Sequence, residues 1–183
     1  DAGITDLIFV VSPDKHIIVK YLSDKGNIEA IFEGKENENE ASRLNIEFVF
    51  QNEPLGLGHA VLCAQEVVGA DPFAVLLPDD LVVSEVSCLA QMVDKYREVG
   101  GNFIAVVEVE PQQTHLYGML KVDECLNGLL KVTAMVEKPS IEKAPSNFAI
   151  VGRYILDAGI FETLRQQRTG SGGEFQLTEA MDT

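Results

Sequence analysis

The sequence contains no tryptophan, three cysteines, and only 14 lysines and arginines among its 183 residues. These cations face 29 aspartates and glutamates, which gives a formal net charge of −15. Duplex DNA and RNA are bound largely by lysines and arginines that neutralise phosphates, so this shortage argues against a nucleic-acid partner. A single nucleotide remains compatible with the charge, because backbone N–H groups and a metal ion can hold its phosphates.

Long apolar runs and secretion signals are also missing. No apolar run reaches the roughly 18 residues of a membrane-spanning helix, and the segment that begins at Asp1 has neither a basic start nor an apolar stretch. Cys63, Cys88 and Cys125 are odd in number and form no C-x-x-C motif, so neither a disulfide framework nor a zinc site is indicated. We therefore expect a soluble, cytoplasmic globular protein that has no membrane partner.

The first 110 residues alternate predicted strands and helices. Strands are predicted at 7–11, 46–50, 73–77 and 102–108, and the segments 7–11 and 73–77 are continuous apolar runs typical of buried strands. Segments with helical periodicity follow three of them, at 14–23, 59–68 and 86–99. Short connections between such units predict a parallel sheet with helices on both faces, a doubly wound α/β fold. The polar run 34–40 is interpreted as a solvated connection or the exposed part of a helix.

Residues 111–183 have a different pattern. Strands are predicted at 117–122, 129–137 and 148–156 with little helix between them, which indicates a mixed or antiparallel extension of the sheet. Asn127-Gly128 is a hairpin-turn signal. Helices at 158–168 and 175–181, separated by the loop 170–173, end the chain.

Ligands of open α/β sheets bind outside the carboxyl ends of the strands, so residues that follow strands are the candidates for a site. Gln51 begins a glycine-rich turn that contains Gly56 and Gly58 and leads into a helix. Glycines let the backbone approach a flat or anionic ligand, and a glutamine amide can pair with a base edge. The alternative is a tight turn that needs glycine only for its conformation.

Asp79 and Asp80 follow the most apolar strand. Carboxylates in such a place are unfavourable unless they are paired or bound to metal. A Mg²⁺ ion held by one or two carboxylates and completed by substrate phosphates would remove that cost. Alternatively, these residues turn the chain and cap the next helix.

Two further sets contain acidic residues. Glu137 and Lys138 stand where Pro139 ends a strand, so both can face one ligand, with glutamate accepting from sugar hydroxyls and lysine meeting a phosphate. A surface ion pair is the alternative. Near the end of the chain, Glu174 and Thr178 fit an ordinary helix start, and Glu179 is either a second metal ligand or a solvated side chain.

Taken in order, these sets resemble the motifs of bacterial UTP–glucose-1-phosphate uridylyltransferases, also called UDP-glucose pyrophosphorylases. The resemblance covers most of the chain and is carried by six motifs in sequence order: Gln51 with Gly56-Leu57-Gly58-His59-Ala60, Leu77-Pro78-Asp79-Asp80, Tyr117-Gly118, Val136-Glu137-Lys138-Pro139, Ala144-Pro145-Ser146-Asn147 with Ile150-Val151-Gly152-Arg153-Tyr154, and Gly173-Glu174-Phe175-Gln176-Leu177-Thr178.

The resemblance implies a Rossmann-like doubly wound mixed sheet of the sugar nucleotidyltransferase type. It also implies the formation of UDP-glucose and pyrophosphate from UTP and glucose 1-phosphate with Mg²⁺. Residues 1–183 would form one incomplete domain, with nucleotide-side strand–helix units over 1–110 and a sugar-side mixed sheet with closing helices over 111–183.

Residue roles are implied in the same way. Gln51 and the backbone of Gly56 and Gly58 would take the uracil, and Asp79 would bind the nucleotide and Mg²⁺, with Glu179 as a further metal candidate. The residues implied to line the glucose are Gly118, Glu137, Lys138 and Gly152. Lys138, which would meet the sugar phosphate, and Asp79 are the implied catalytic residues.

The chain departs from the family pattern at both ends. It begins at what resembles the second strand, after the family's G-x-G-T-R-type triphosphate loop, and it ends soon after Glu179. It also has Leu177-Thr178-Glu179 where the family usually reads Leu-Thr-Asp. A homo-oligomer is expected of the full-length protein. Two alternatives stay open: a fragment that binds a sugar nucleotide without turnover, and a related nucleotidyltransferase that uses dTTP or ATP.

Overall fold

The computed structural model describes residues 2–32, 44–126, 128–167 and 173–182. Its strands and helices, in chain order, are β1 (Asp6–Val11), α1 (His16–Leu22), α2 (Lys25–Phe32), β2 (Asn45–Phe50), α3 (Leu57–Cys63), α4 (Gln65–Val68), β3 (Phe73–Leu76), α5 (Cys88–Val99), β4 (Phe103–Glu108), β5 (Gly118–Leu126), β6 (Leu129–Glu137), β7 (Phe148–Leu156), α6 (Ile160–Gln166) and α7 (Leu177–Met181). Two 3₁₀ helices cover Pro111–Leu116 and Ile141–Lys143. The predicted connection at 34–40, Asn127 of the predicted hairpin and residues 170–172 lie outside the described residues.

The strands form two sheets. β1 and β2 are a parallel pair, with Asp6 opposite Asn45 and Val11 opposite Phe50. The second sheet has five strands and is centred on β7, which pairs antiparallel with β3, β4 and β5, while β6 pairs antiparallel with β5. Ile155 of β7 is paired with Ala74 and with Phe103, so β3 and β4 lie along opposite edges of β7.

The α/β class and the mixed sheet predicted from the sequence are confirmed, and the pairing adds a detail. β1 and β2 are parallel neighbours, as expected. β3 and β4 also run in the same direction, but the antiparallel strand β7 lies between them. The sequence could not show this, because β7 is far from both in the chain and strand pairing depends on contacts that are distant in sequence.

The core surrounds β7. Its buried cluster consists of Val61, Leu120, Ile150, Tyr154, Leu156, Ile160, Phe161, Leu164, Leu177 and Ala180. Successive side chains of a strand point to opposite faces, so Ile150, Tyr154 and Leu156 share the face that packs on α3, α6 and α7. On the other face, the Tyr96 ring of α5 lies edge-on to Phe103, with 6.2 Å between ring centroids. Helices therefore cover both faces of this sheet, as predicted.

Burial does not follow apolarity alone. The run 73–77 is the most apolar of the predicted strands, yet Leu76 is 49% exposed, and residues 7–11, predicted to be buried on both faces, are only half-buried. β7 is the strand with the most buried side chains. Within the described part of the chain, no helix combines the length and apolarity needed to span a bilayer.

Candidate functional site

A pocket of about 310 Å³ is lined by residues just after β3, at the start of β5, at the end of β6 and in the middle of β7. Five of the predicted site residues line it: Asp79, Gly118, Glu137, Lys138 and Gly152. Leu57, Leu77, Asp80, Leu116, Tyr117, Ile150, Tyr154, Gln176, Leu177 and Thr178 complete the lining. The fold therefore brings together residues that lie up to 73 positions apart in the chain, from Asp79 to Gly152.

The turn after β3 carries the two aspartates. The Asp80 N–H points to the Leu77 carbonyl oxygen at 3.4 Å, and Pro78 occupies the second position of the turn, which proline favours. Asp79 is exposed at the third position. Asp80 uses its carboxylate differently, because its Oδ2 accepts the Gly152 N–H at 2.7 Å.

The next helix is capped by another residue. α5 begins at Cys88, and the Ser87 hydroxyl accepts the Ala90 N–H at 3.4 Å. The alternative for Asp79 and Asp80 was that they turn the chain and cap the next helix. The turn is present, but Ser87 caps α5. Asp79 is thus left facing the pocket, and Asp80 ties the turn to β7.

Gly152 and Arg153 of β7 make the remaining hydrogen bonds between the turn and this strand. The Leu77 N–H donates to the Gly152 carbonyl at 2.8 Å, and Arg153 Nη1 donates to the carbonyls of Leu77 and Gly152 at 2.8 and 2.9 Å. A Cβ on Gly152 would lie 2.5 Å from Asp80 Oδ2 and 2.6 Å from Leu77 Cβ. Glycine at position 152 therefore permits the turn to lie directly on β7.

Glu137 and Lys138 stand at the end of β6. Glu137 is half-buried, and its Oε2 accepts the Thr178 hydroxyl at 3.2 Å. Lys138 lies just beyond the strand with φ +43°, in the left-handed region that residues other than glycine seldom adopt. Its N–H donates to the Tyr117 carbonyl at 3.1 Å. Lys138 makes no ion pair with a carboxylate of the described residues, so the alternative of a surface ion pair is not seen.

Tyr154 lies beneath the pocket and is 3% exposed. Burial, together with the negative charges of Glu137 and Asp80, raises the pKa of Tyr154 to about 12. The phenol therefore stays protonated at neutral pH and offers an O–H donor. Tyr154 is not among the predicted site residues, although it alternates with Gly152 along β7 and the two residues therefore share a face.

Gln51, Gly56 and Gly58 of the glycine-rich turn are not among the lining residues of this pocket, although Leu57 of the same turn is. Gln51 Nε2 donates to the Gly56 carbonyl at 3.1 Å and to His59 Nδ1 at 3.0 Å, which leaves the amide oxygen as an acceptor. Gly56 has φ +97°, and a Cβ on either Gly56 or Gly58 would come within 2.9 Å of the Phe175 carbonyl. Both glycines are thus required by the turn and its packing, and their contact with a base stays a prediction.

Glu179 is not brought to the pocket. It is exposed, and its Oε2 accepts a hydrogen bond from Gln167 Nε2 at 3.1 Å. Its neighbour Thr178 lines the pocket instead. The described residues contain no group of three histidines, cysteines, aspartates or glutamates arranged to hold a metal ion. A metal at this pocket would therefore draw most of its ligands from substrate and water, with Asp79 as the exposed carboxylate available to it.

Known proteins resemble this chain over nearly its whole length. The family described as "Nucleotidyl transferase" matches residues 1–182. The UTP–glucose-1-phosphate uridylyltransferase YngB of Bacillus subtilis strain 168 is 39% identical over an alignment that covers 99% of this chain and 63% of that protein. The chain thus spans less than two thirds of that relative's length.

Solved structures give the same result. A crystal structure of apo UDP-glucose pyrophosphorylase has a TM-score of 0.86 and 33% identity, with 99% of this chain and 70% of that chain covered. A UDP-glucose pyrophosphorylase complexed with UDP-glucose has a TM-score of 0.89 and 33% identity, with 99% and 69% covered. The resemblance found in the motifs is confirmed: the chain belongs to the nucleotidyl transferase family and has UTP–glucose-1-phosphate uridylyltransferases among its relatives.

Proposed function

We propose that the protein is a UTP–glucose-1-phosphate uridylyltransferase, which forms UDP-glucose and pyrophosphate. The observation that carries this proposal is the single pocket in which an exposed aspartate, a lysine, a glutamate and two glycines converge. The names of the relatives supply the reaction, and UDP-glucose is bound in one of the similar structures. The proposal concerns the whole protein, of which this chain matches one part in its relatives.

The charge of the pocket supports a requirement for Mg²⁺. Asp79, Asp80 and Glu137 line it, and Lys138 is the one cationic side chain among its described lining residues. This excess of negative charge would repel phosphates, and a divalent cation at Asp79 would neutralise it. Mg²⁺ is bound in proteins by one or two carboxylates together with substrate phosphates, which fits the donors present. When bound, it would neutralise the charge that develops on the phosphate oxygens.

On the sugar side, Glu137 would accept hydroxyl groups of glucose. The Thr178 hydroxyl holds one oxygen of this carboxylate, which fixes its orientation and leaves the other oxygen free to accept from the ligand. Gly118 keeps the approach open, because a Cβ there would lie 3.2 Å from Glu137 Oε2. Gly152 lines the same pocket.

Lys138 would meet the phosphate of glucose 1-phosphate. Its position beyond the strand end, with a left-handed backbone tied to Tyr117, releases its side chain from the alternation that would otherwise send Glu137 and Lys138 to opposite faces. A lysine ammonium acts on a phosphate as a compact point charge. It would hold the attacking phosphate oxygen in place.

Gln51 would read the base. Both donors of its amide group are engaged, by Gly56 and His59, so the free amide oxygen is suited to accept the N3–H of uracil. The Gly58 N–H donates to the Phe175 carbonyl at 2.8 Å, and the Gly56 carbonyl accepts from Gln51 Nε2 and the Ala60 N–H. The Gly56 N–H is therefore the backbone group that would complete the uracil contact.

The reaction needs no protein nucleophile. An oxygen of glucose 1-phosphate attacks the α-phosphorus of UTP, a new P–O bond forms, and the bond to the β-phosphate breaks to release pyrophosphate. Such in-line displacements depend on positioning and charge neutralisation. Lys138 and Asp79, which line the same pocket, would provide these two contributions.

A coupled assay of pyrophosphate release tests the proposal. UTP, glucose 1-phosphate and Mg²⁺ are supplied to this chain and to the full-length protein, with chelation by EDTA as the control. We expect release that stops with EDTA and that falls when dTTP or ATP replaces UTP. Binding of UDP-glucose without pyrophosphate release would favour the non-catalytic alternative, and faster turnover with dTTP or ATP would favour the related transferases. The cytoplasmic location and a homo-oligomer of the full-length protein stay predictions.

A further inference from the structure

Asp79 and Asp80 are adjacent carboxylates that both line the pocket, yet the structure gives them different environments. Asp79 is exposed at the tip of the turn, and no hydrogen bond to its carboxylate is present among the described residues. Asp80 is half-buried, and one of its oxygens is 2.7 Å from the Gly152 N–H. The negative charge on Asp80 thus strengthens its hydrogen bond to the backbone of β7, because a carboxylate accepts a backbone N–H more strongly than a neutral acceptor does.

The hydrogen bond between the Asp80 carboxylate and the Gly152 N–H is the last contact along the chain that holds this turn to β7. Leu77 is joined to Gly152 through its N–H and to Arg153 through its carbonyl, both at 2.8 Å. After Asp80 the chain has no regular structure until Cys88, and Leu81 and Val83 are 83% and 85% exposed. Without the bond to Gly152, the turn would be fixed at one end only.

We propose that Asp80 and Arg153 are positioning residues that fasten the turn to β7, and that Asp80 is not itself a metal ligand. Arg153 holds the entry of the turn through the Leu77 carbonyl, and Asp80 holds its exit through the Gly152 N–H. Asp79, between them, is thereby kept at one place in the pocket. This inference rests on the proposed function, in which Asp79 binds Mg²⁺ and phosphate.

The two roles for Asp80 are separable by one pair of variants. Asp80→Asn keeps an amide oxygen that can accept the Gly152 N–H, but it removes the charge that a metal ligand needs. Asp80→Ala removes both. Asp71→Ala is the matched control, because Asp71 is an exposed aspartate outside the pocket. The variants are made in the full-length protein.

Two measurements decide the proposal: the Mg²⁺ concentration for half-maximal pyrophosphate release, and hydrogen exchange of the Gly152 amide followed by NMR. We expect Asp80→Ala to raise the Mg²⁺ requirement about tenfold and to speed Gly152 exchange about tenfold, as loss of a hydrogen bond to a charged group would do. Asp80→Asn should stay within about threefold of the wild type in both, and Asp71→Ala should match the wild type.

Equal loss of Mg²⁺ response in Asp80→Asn and Asp80→Ala, with Gly152 exchange unchanged in Asp80→Asn, would make Asp80 a metal ligand and overturn the proposal. Wild-type behaviour of Asp80→Ala would overturn it as well. Failure of the proposed function has a different signature: the wild-type protein would release no pyrophosphate, while Gly152 exchange would still report whether Asp80 holds the turn.

Discussion

The parallel pair β1–β2 and the sheet centred on β7 are built from similarly apolar strands but differ in burial. Residues 7–11 of β1 are half-buried, and α1, the next helix along the chain, contains no buried residue, with Ile17 72% exposed. In β7, Ala149 and Leu156 are fully buried. β7 has paired strands on both edges and helices on both faces, whereas the described residues place only β2 beside β1. Position in the sheet, more than the composition of a strand, thus decides how much it is buried.

The two regions also differ in what they offer a ligand. The β7 sheet carries the pocket with its exposed charges. The turn after β2 carries Gln51, whose amide donors are already satisfied within the protein. The regions are joined by hydrogen bonds from the Gly58 N–H to the Phe175 carbonyl and from the Phe175 N–H to the Leu55 carbonyl. Changes in the β7 region should affect both stability and catalysis, whereas equivalent changes within β1 and β2 themselves, before Gln51, should affect neither strongly.

The largest contrast is expected for carboxylates. Asp79→Asn should lower pyrophosphate release by about 10²- to 10³-fold, because a group that stabilises charge at the reacting centre is removed. Glu47→Gln, an exposed carboxylate of β2, should leave the rate unchanged. Circular dichroism and thermal melting check that both variants are folded. Wild-type turnover in Asp79→Asn would contradict its assignment as the metal-binding residue.

A second contrast concerns packing. Leu120 is fully buried in β5, so Leu120→Ala should lower the free energy of unfolding by about 3 kcal/mol. Leu7 is half-buried in β1, and Leu7→Ala should cost about 1 kcal/mol. Urea denaturation measures both. Equal losses would mean that the two sheets contribute alike to stability.

A third contrast uses two glycines. Gly152→Ala places a Cβ 2.5 Å from Asp80 Oδ2 and should destabilise the fold by about 2 kcal/mol, since overpacking forces neighbouring atoms to move. A Cβ on Gly159 meets nothing within 4 Å, so Gly159→Ala should be neutral or slightly stabilising. Denaturation curves compare the two. If Gly152→Ala were as stable as the wild type, the turn would not lie on β7 as described.

The smallest expected contrast concerns the binding of the two substrates. Lys138→Ala should raise the KM for glucose 1-phosphate about tenfold and that for UTP much less, because its ammonium is proposed to meet the sugar phosphate. Lys131→Ala, which removes an exposed lysine of the same strand, is the control. Initial rates at varied concentrations of each substrate give the two constants. An equal rise in both would assign Lys138 a structural role.

Much of the fold could be predicted from local patterns. β6 and β7 have the predicted bounds, and α5 begins two residues later than predicted, at Cys88. The predicted helix over 59–68 is two helices in the structure, α3 and α4, with Ala64 between them. The helix α2 was not predicted, because it follows α1 within a few residues and has a weak apolar periodicity.

The candidate site could be predicted in part. Asp79, Glu137 and Lys138 were found because charged residues directly follow apolar strands, and the structure brings them into one pocket. Glu179 was a candidate for a different reason, since it follows a glycine loop at the start of α7, and in the structure it accepts a hydrogen bond from Gln167 outside the pocket. The hydrogen bond of Arg153 to the Leu77 carbonyl was missed, since a contact with a distant carbonyl leaves no local mark in the sequence. For Tyr154, alternation with Gly152 predicts the shared face, but its burial beneath the pocket depends on tertiary packing.

The sequence by itself determined where strands and helices form, which residues end the strands, and which family the chain resembles, because periodicity, glycine and proline act over a few residues. Only the tertiary structure decided that β7 separates β3 from β4, that Asp80 binds the backbone while Asp79 remains exposed, and that Gly152 must lack a side chain. Those features depend on atoms that approach within about 3 Å across more than 70 residues of chain, from Asp80 to Gly152. Such contacts exist only once the chain has folded.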